Sequence, residues 1–440
     1  MSVQELLKEM TVDLEQGLIP GAIFNDEQIH RMELEKIFGS AWVFIGHESE
    51  IPSPGDYALR YIGQDPFIFV RDENQQIRVL FDGCPHRGAS VCNAEKGNAS
   101  HFRCPYHGWT FKNDGTLVGT PAYRDAYEGW DRSQWGLRPA PKVGNIHGFV
   151  FATIDPEAPS LEEYLGGMKW YMDLLFGLNE QGMEVIGEPN RWIIDCNWKT
   201  GAENFAGDDY HTMYLHRSMW DIKTIQIPQQ ELMKGYHVHA GNGHTLSFTI
   251  AEDGDFEAPK FWGLPDEIVK TFQPERLSKE QFDIARRSSV TVGNIFPNLA
   301  FLTEPVTPDP ENIEPSPFMH IRMLQPKGPN KVEAWTWFLA WKGASDELKE
   351  KSYKAGMTTF SVSGIFDQDD TMPWESIARA SASQFYRKNK FKLNYQMGLN
   401  GIGSSKLVPD WPGPGVAYYP RYEEGVMRHF YQRWLEYMTK

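Results

Sequence analysis

The stretch Cys84-Pro85-His86-Arg87-Gly88, answered by Cys104-Pro105-Tyr106-His107-Gly108-Trp109, decides how the rest of the chain is read. Each half supplies one thiol and one imidazole, with proline after the cysteine and glycine after or near the histidine. Two equivalent turns presenting these groups to each other suit a binuclear centre, with two thiolates on one iron and two imidazoles on the other. Glycine lets backbone N–H groups approach bridging sulfides. A tetrahedral zinc site is the rival, but Cys-x-His does not fit its usual spacings and leaves the paired prolines and glycines without purpose. The pattern reads as a [2Fe–2S] cluster held by Cys84, His86, Cys104 and His107, with Cys92 and His101 between the halves as structural residues.

Outward from this core, short apolar runs alternate with Gly/Pro turns: Ala41–Ile45, Asp56–Ile62, Pro66–Arg71, Arg78–Asp82, Trp109–Lys112 and Gly148–Ile154. That texture predicts a small all-β domain over residues 40–156. Before it, Leu6, Leu7 and Met10 and then the stretch from Asp26 to Phe38 repeat at helical spacing, so 1–39 forms a helical segment packing with the later domain. After it, residues 157–440 mix the two types. Asn190–Asn197, Val292–Leu302, His320–Leu324 and Glu333–Ala340 read as strands; Asp346–Phe360, Trp374–Arg387 and Glu423–Thr439 read as helices. Segregated rather than alternating elements predict an α+β domain with an antiparallel sheet covered by helices.

The totals agree. The chain has 440 residues, 41% hydrophobic and 23% charged, as folded multidomain proteins do. A formal charge of −16 with no basic run argues against nucleic-acid binding. No apolar run approaches the roughly 18 residues of a membrane helix. The N-terminus does not resemble a signal peptide, so a cytoplasmic protein is expected. Four cysteines, three of them within 21 residues, suit metal binding rather than a disulfide framework.

A second constellation lies in Asn204-Phe205-Ala206-Gly207-Asp208-Asp209-Tyr210-His211, ending in Leu215-His216. Two histidines and a carboxylate are the ligand set of a non-heme Fe(II) centre with positions open for dioxygen. On a straight helix, residues five apart diverge by about 140°, so His216 must lie past a helix end or beyond a bend. The carboxylate must come from elsewhere, and Asp367, Asp369 and Asp370 are equal candidates on spacing alone.

Three motifs now stand in order: Cys-x-His-x17-Cys-x2-His, Asn-Phe-x-Gly-Asp-x-Tyr-His-x4-His and Gly-x-Phe-x-Gln-Asp-Asp. Together they resemble the large (alpha) subunit of Rieske non-heme iron aromatic-ring-hydroxylating dioxygenases, over nearly the whole chain. The resemblance implies that His211, His216 and Asp370 bind the mononuclear iron, and that Asp208 bridges the two redox sites through His211 and His107 of the partner subunit. It places Asn204 near the iron and Phe205, Thr212, Phe360 and Phe366 around the substrate. Asp209 is left as a surface or capping residue. At Asp367, ahead of the ligand, the family often has Glu. The closing Trp411-Pro412-Gly413-Pro414-Gly415 looks like the branch that attacks polycyclic or substituted aromatics.

The activity implied is hydroxylation of an aromatic ring in catabolism, as a cis-dihydrodiol, with O2 and with electrons from NAD(P)H passed through a flavin reductase and a ferredoxin. An alpha3 or alpha3beta3 assembly with a small beta subunit goes with it. A monooxygenase of an aromatic acid, or an O- or N-demethylase of the same superfamily, is the alternative, since it shares every metal ligand. A bare electron carrier would leave the second motif unexplained, and a zinc module would leave the first. An aromatic carboxylate substrate requires a basic residue in the pocket, for which Arg322 and Arg379 are candidates.

Overall fold

The short apolar runs after Trp42 become the strands of three small antiparallel sheets. Val43–His47 joins Lys142–Ile146 and Phe149–Thr153; Asp56–Ile62, Asp65–Arg71, Ile77–Phe81 and Lys96–Asn98 form the second; His101–Arg103, Thr110–Lys112 and Leu117–Gly119 form the third. The computed structural model describes residues 3–127, 129–250, 259–308 and 314–440. Residues 38–161 make one compact unit, and residues 1–37 with 162–440 make the other. In the first, Ile68, Val70, Leu80, Phe102 and Phe111 pack around Cys84, Cys92 and Cys104. Burial of these apolar side chains supports the two cysteine turns from below.

The larger unit opens with helices α1 (Val3–Glu15) and α2 (Glu27–Glu33), separated by a short strand, Leu18–Pro20, that pairs with Lys392–Asn394. Its main sheet has nine antiparallel strands: β1 (Met183–Ile194), β2 (Gly235–Gly241), β3 (His244–Ile250), β4 (Ser288–Ile295), β5 (Leu299–Val306), β6 (Ser316–Gly328), β7 (Lys331–Trp341), β8 (Lys406–Leu407) and β9 (Val416–Tyr419). Their order is β1-β7-β6-β5-β4-β3-β2-β9-β8. Helix α3 (Trp198–Gly207) lies across β3 to β6, α4 (Asp346–Thr359) packs on β6 and β7, and α5 (Ile365–Ala382) and α6 (Gly425–Thr439) complete the cover. The expected all-β domain followed by an α+β domain is what the chain forms. Among the described residues, no helix is long and apolar enough to cross a membrane.

Two expected elements differ. Val292–Leu302 is two strands, β4 and β5, joined by a turn through Phe296–Asn298. Pro297 has no N–H to give a ladder, and the apolar run on both sides hides the turn. The helix expected from Trp374 begins at Ile365 and passes through Pro373, then breaks at Ser383. Proline normally argues against a helix interior, so the acidic residues at 367–370 did not read as helical. Strands β2 and β3 went unread, because their His, Gly, Ser and Thr residues blur the alternation.

Buried ion pairs fix the helices. Arg322 on β6 is fully buried and makes a two-point bridge to Asp367 on α5, at 2.5 and 2.7 Å. Burial pushes the Asp367 carboxyl up to about 6 with the guanidinium opposing, so the pair is ionised at neutral pH. Glu33 of α2 is equally enclosed. It accepts hydrogen bonds from Lys199 (2.5 Å), Trp198 (3.0 Å) and Trp434 (2.8 Å), which ties α3 and α6 together. Arg322→Met leaves Asp367 charged and unpaired, so unfolding free energy should fall by about 3–5 kcal/mol. Adding Asp367→Leu should recover most of that loss. Denaturant midpoints for the single and double variants give the check.

Candidate metal centres and active-site cavity

The two cysteine turns superimpose in their hydrogen bonding. Cys84 N–H donates to Ala89 (2.8 Å) and Gly88 N–H to the Cys84 carbonyl (2.7 Å); Cys104 N–H donates to Trp109 (2.8 Å) and Gly108 N–H to the Cys104 carbonyl (3.0 Å). Gly88 and Gly108 both take positive φ, 78° and 69°, which side chains resist. The turns bring the His86 and His107 rings to 4.6 Å, and Trp109 stacks on His86. Both Nδ1 atoms are buried and accept or donate no hydrogen bond. Burial first, then Cys104 beside it, raises the Cys84 thiol, and burial with His107 lowers His86. Two close thiols and two imidazoles whose buried Nδ1 atoms lack partners fit a [2Fe–2S] cluster, with two thiolates on one iron and two imidazoles on the other. Cys92 packs in the core, and the exposed His101 ring meets the Ser100 hydroxyl.

The second constellation is built on a broken helix. Asn197 caps α3 through Lys199 N–H at 3.0 Å. The helix stops at Gly207, whose φ of 137° suits glycine alone. Asp208 follows as the last cap, Asp209–His211 form a tight 3-10 turn, Thr212–Leu215 one more turn, and His216 stands just past its end. The five-residue spacing is reconciled in this way.

Both imidazoles then reach one point. His211 Nε2 lies 3.4 Å and His216 Nε2 3.2 Å from the same oxygen, Asp370 Oδ1, which is buried without a well-formed hydrogen bond. Nε2 and carboxylate donors from the three residues fall within 4.8 Å of one another. The remaining ring nitrogens are held from behind: His211 Nδ1 by the Asp208 carbonyl, His216 Nδ1 by Asp369 at 3.2 Å. Such outer contacts set the tautomer of a metal-binding histidine. Burial alone would lower His211, but Asp208 and Asp370 raise it to about 10. Burial would raise Asp370, but the imidazoles hold it well below the carboxylate range. Two imidazoles and a carboxylate that attract positive charge fit a divalent iron with open positions.

Geometry separates the three acids that spacing left equal. Asp370 faces both Nε2 atoms, Asp369 backs His216, and Asp367 is taken by Arg322. The chain bends at Asp208, so that its carbonyl meets His211 Nδ1 and its carboxylate lies 3.7 Å from the same nitrogen. One reading is corrected. Asp209 is no surface cap. It accepts from His237 (2.7 Å) and pairs with Arg421 (3.3 Å), with Glu423 on the far side of His237 (2.8 Å).

The triad opens into a cavity of about 710 Å3, mouth included, lined as expected by Asn204, Phe205, Thr212, Phe360 and Phe366. Phe360 and Phe366 stack at 5.0 Å, and Phe366 is 4.7 Å from His216. Sheet residues complete the wall, among them Val290, Val292, Leu302 and Glu304. Nothing in their sequence marks them, since a strand's pocket face and its core face are equally apolar. Arg322 is locked to Asp367, and exposed Arg379 pairs with Glu375. Among the described residues the lining contains no Lys or Arg.

An all-β unit with paired Cys–His turns, in one chain with an α+β unit whose cavity ends on two histidines and an aspartate, defines an iron oxygenase. Residues 41–131 match the Rieske [2Fe-2S] domain, and residues 161–440 match the ring hydroxylating alpha subunit (catalytic domain). The chain belongs to this family of ring-hydroxylating oxygenase alpha subunits. It is 37% identical to the N,N-dimethyl phenylurea N-demethylase subunit alpha of Sphingobium sp. (strain YBL2), covering 99% of this chain and 94% of the relative. It is 34% identical to the biphenyl dioxygenase subunit alpha of Paraburkholderia xenovorans (strain LB400), covering 98% and 92%. The crystal structure of naphthalene 1,2-dioxygenase from Rhodococcus sp. bound to indole is similar at a TM-score of 0.93 and 44% identity, over 99% of this chain and 97% of that one. The expected enzyme class and cofactors therefore hold: an aromatic-ring-hydroxylating oxidoreductase using O2, with a [2Fe–2S] cluster and a mononuclear iron, supplied with electrons by a reductase.

Asp370→Ala should remove the mononuclear iron while the visible spectrum of the cluster stays intact, and turnover should vanish. Asp369→Ala should retain the site with iron affinity lowered about 10- to 100-fold, since only the support of His216 is lost. Iron and sulfide analysis of both variants decides; depletion in Asp369→Ala alone would exchange the two roles.

Proposed function

We propose that this chain is the terminal oxygenase of a cytoplasmic multicomponent system that cis-dihydroxylates an uncharged aromatic ring. The observation that carries the substrate class is the cavity lining, which away from the metal-binding residues is mostly aromatic and aliphatic, with no Lys or Arg among the described residues. An aromatic carboxylate would be buried there without a partner, at high free-energy cost. In this reading Cys84, His86, Cys104 and His107 hold the cluster, and His211, His216 and Asp370 hold the iron. The bound metals supply electron relay and dioxygen activation.

The protein's own residues orient and exclude. Phe360 and Phe366 form a flat stacked wall against which an aromatic ring lies, beside His216. Phe205 closes another side against His320. Asn204 and Thr212 supply neutral polar atoms in the lining. Asp208 acts as the bridge between redox sites. Its Oδ1 is buried and unpartnered, which suits a donor from outside this subunit, His107 of the partner subunit. That arrangement calls for an alpha3 or alpha3beta3 assembly with a small beta subunit, fed by a ferredoxin and a flavin reductase.

A second reading, oxidation of an N-methyl carbon, draws on the likeness to the phenylurea N-demethylase subunit. It uses the same ligands with the methyl group rather than the ring nearest the metal. Product analysis of the reconstituted system separates the two. Neutral bicyclic aromatics should give cis-dihydrodiols and naphthoate should give nothing; formaldehyde from N-methylanilides with no dihydrodiol would favour demethylation.

Two variants test the residue roles. Phe366→Val should change the ratio of regioisomers from an unsymmetrical arene without altering iron content. Asp208→Asn should keep the assembly and a reducible cluster but lower turnover by about two orders of magnitude or more, because the amide carries no negative charge beside His211 and offers one acceptor oxygen where the carboxylate offers two. Stopped-flow reoxidation of the pre-reduced cluster at the wild-type rate would remove Asp208 from the electron path.

A further inference from the structure

Glu304 is the one carboxyl group in the cavity wall that the metal sites leave unexplained. It lies on β5, opposite Phe318 of β6 in the sheet register. Two-residue alternation puts it on the same face as Leu302, and that face, with Val290 and Val292 of β4, lines the cavity. Its side chain is 9% exposed, and Oε1 is buried with no hydrogen-bond partner. Burial raises its proton affinity to about 8. At neutral pH it is therefore an uncharged carboxylic acid, with one O–H donor and one carbonyl acceptor side by side.

Such a group is costly. An unsatisfied polar group in an apolar wall destabilises the fold relative to a leucine of similar size. Among the described residues it serves no pair, cap or turn that would offset this. Sites that break local rules without structural compensation are where function is found.

Building on the oxygenase reading above, we infer that Glu304 selects the substrate, and that the substrate is an uncharged aromatic bearing an amide-like group. The N–H and C=O of such a group complement the carboxyl O–H and C=O in a two-point hydrogen bond. The aromatic ring is thereby set at a fixed distance from the bond, against the stacked phenylalanines. A bare hydrocarbon would leave the acid unsatisfied. A carboxylate would present acceptors alone, with no Lys or Arg among the described lining residues to balance its charge.

The probes are 3,4-dihydro-2-quinolone, tetralin and protonated 1,2,3,4-tetrahydroisoquinoline, which share one bicyclic skeleton. Dissociation constants come from calorimetry of the metal-loaded protein under nitrogen, and kcat/KM from product formation in the reconstituted system. Wild-type protein should bind and turn over the lactam in preference to tetralin. Glu304→Leu should lower lactam binding and kcat/KM about 10- to 100-fold and improve both for tetralin. Glu304→Gln keeps one donor and one acceptor face and should stay within a few-fold of wild type on the lactam. An equal change on lactam and tetralin in Glu304→Leu, or no lactam preference in wild type, would overturn the inference and reduce Glu304 to packing. Preference for the cation, lost in Glu304→Gln, would overturn it in favour of an ionised carboxylate. Selective lactam binding with no oxidised product from any probe would instead sink the oxygenase assignment while leaving Glu304 as the recognition residue. Cluster absorbance and melting temperature show that each variant is folded.

Discussion

The Arg322–Asp367 pair is the constraint on which the catalytic unit depends. A two-histidine, one-carboxylate centre needs donors from distant parts of the chain to meet within a few ångströms. The histidines follow α3, and the carboxylate rides on α5, more than 150 residues later. A helix resting on a sheet through apolar contacts alone has freedom to slide, because dispersion has no direction. A guanidinium forked onto a carboxylate has little such freedom. With Asp367 anchored to β6, Asp370 one turn further along is delivered to both imidazoles, and Asp369 to the back of one of them. The Glu33 cluster does the corresponding work for α3, with Lys199 and the Trp198 and Trp434 indoles converging on one carboxylate.

The two centres illustrate opposite ways of building a metal site. The cluster turns are local. Cysteine, histidine and glycine lie within a few residues, and the same hydrogen bonds close each turn. The mononuclear centre is assembled from separate helices, and its local contribution is a break rather than a motif. Gly207 ends α3, and the bend at Asp208 lets His211 and His216 turn to the same point. The acids nearby then divide the labour: Asp370 and the imidazoles meet, Asp209 joins His237 and Arg421, and Asp208 keeps a buried oxygen free.

The cavity owes its selectivity to what the chain withholds. Of the two arginines considered as anchors for an acid, Arg322 is consumed by Asp367 and Arg379 is exposed and paired with Glu375. Aromatic stacking supplies shape, and Glu304 supplies the one polar handle remote from the metal-binding wall. This is the usual composition of a small-molecule pocket, mostly apolar with a few placed polar groups.

Short-range spacing in the chain pointed to Cys84, His86, Cys104 and His107 as cluster ligands and to an all-β unit before an α+β unit, because paired Cys–His turns and alternating strands admit few readings. Alternating runs such as Asp56–Ile62 were legible for the same reason. For His211 and His216 the spacing was less specific, and the motif around them carried the reading. Spacing could not choose among Asp367, Asp369 and Asp370, because a carboxylate's role depends on its neighbours across the fold and Pro373 concealed the helix that carries them; the resemblance pointed to Asp370, and the fold sets that residue against both imidazoles. The tertiary structure also moved Asp209 from the surface into a buried network, and split Val292–Leu302 at Pro297. Glu304 left no trace in the sequence: a lone acid in an apolar strand has the same local pattern whether it meets water, a lysine or an empty pocket, and only the packing of β4, β5 and the helices around it tells them apart.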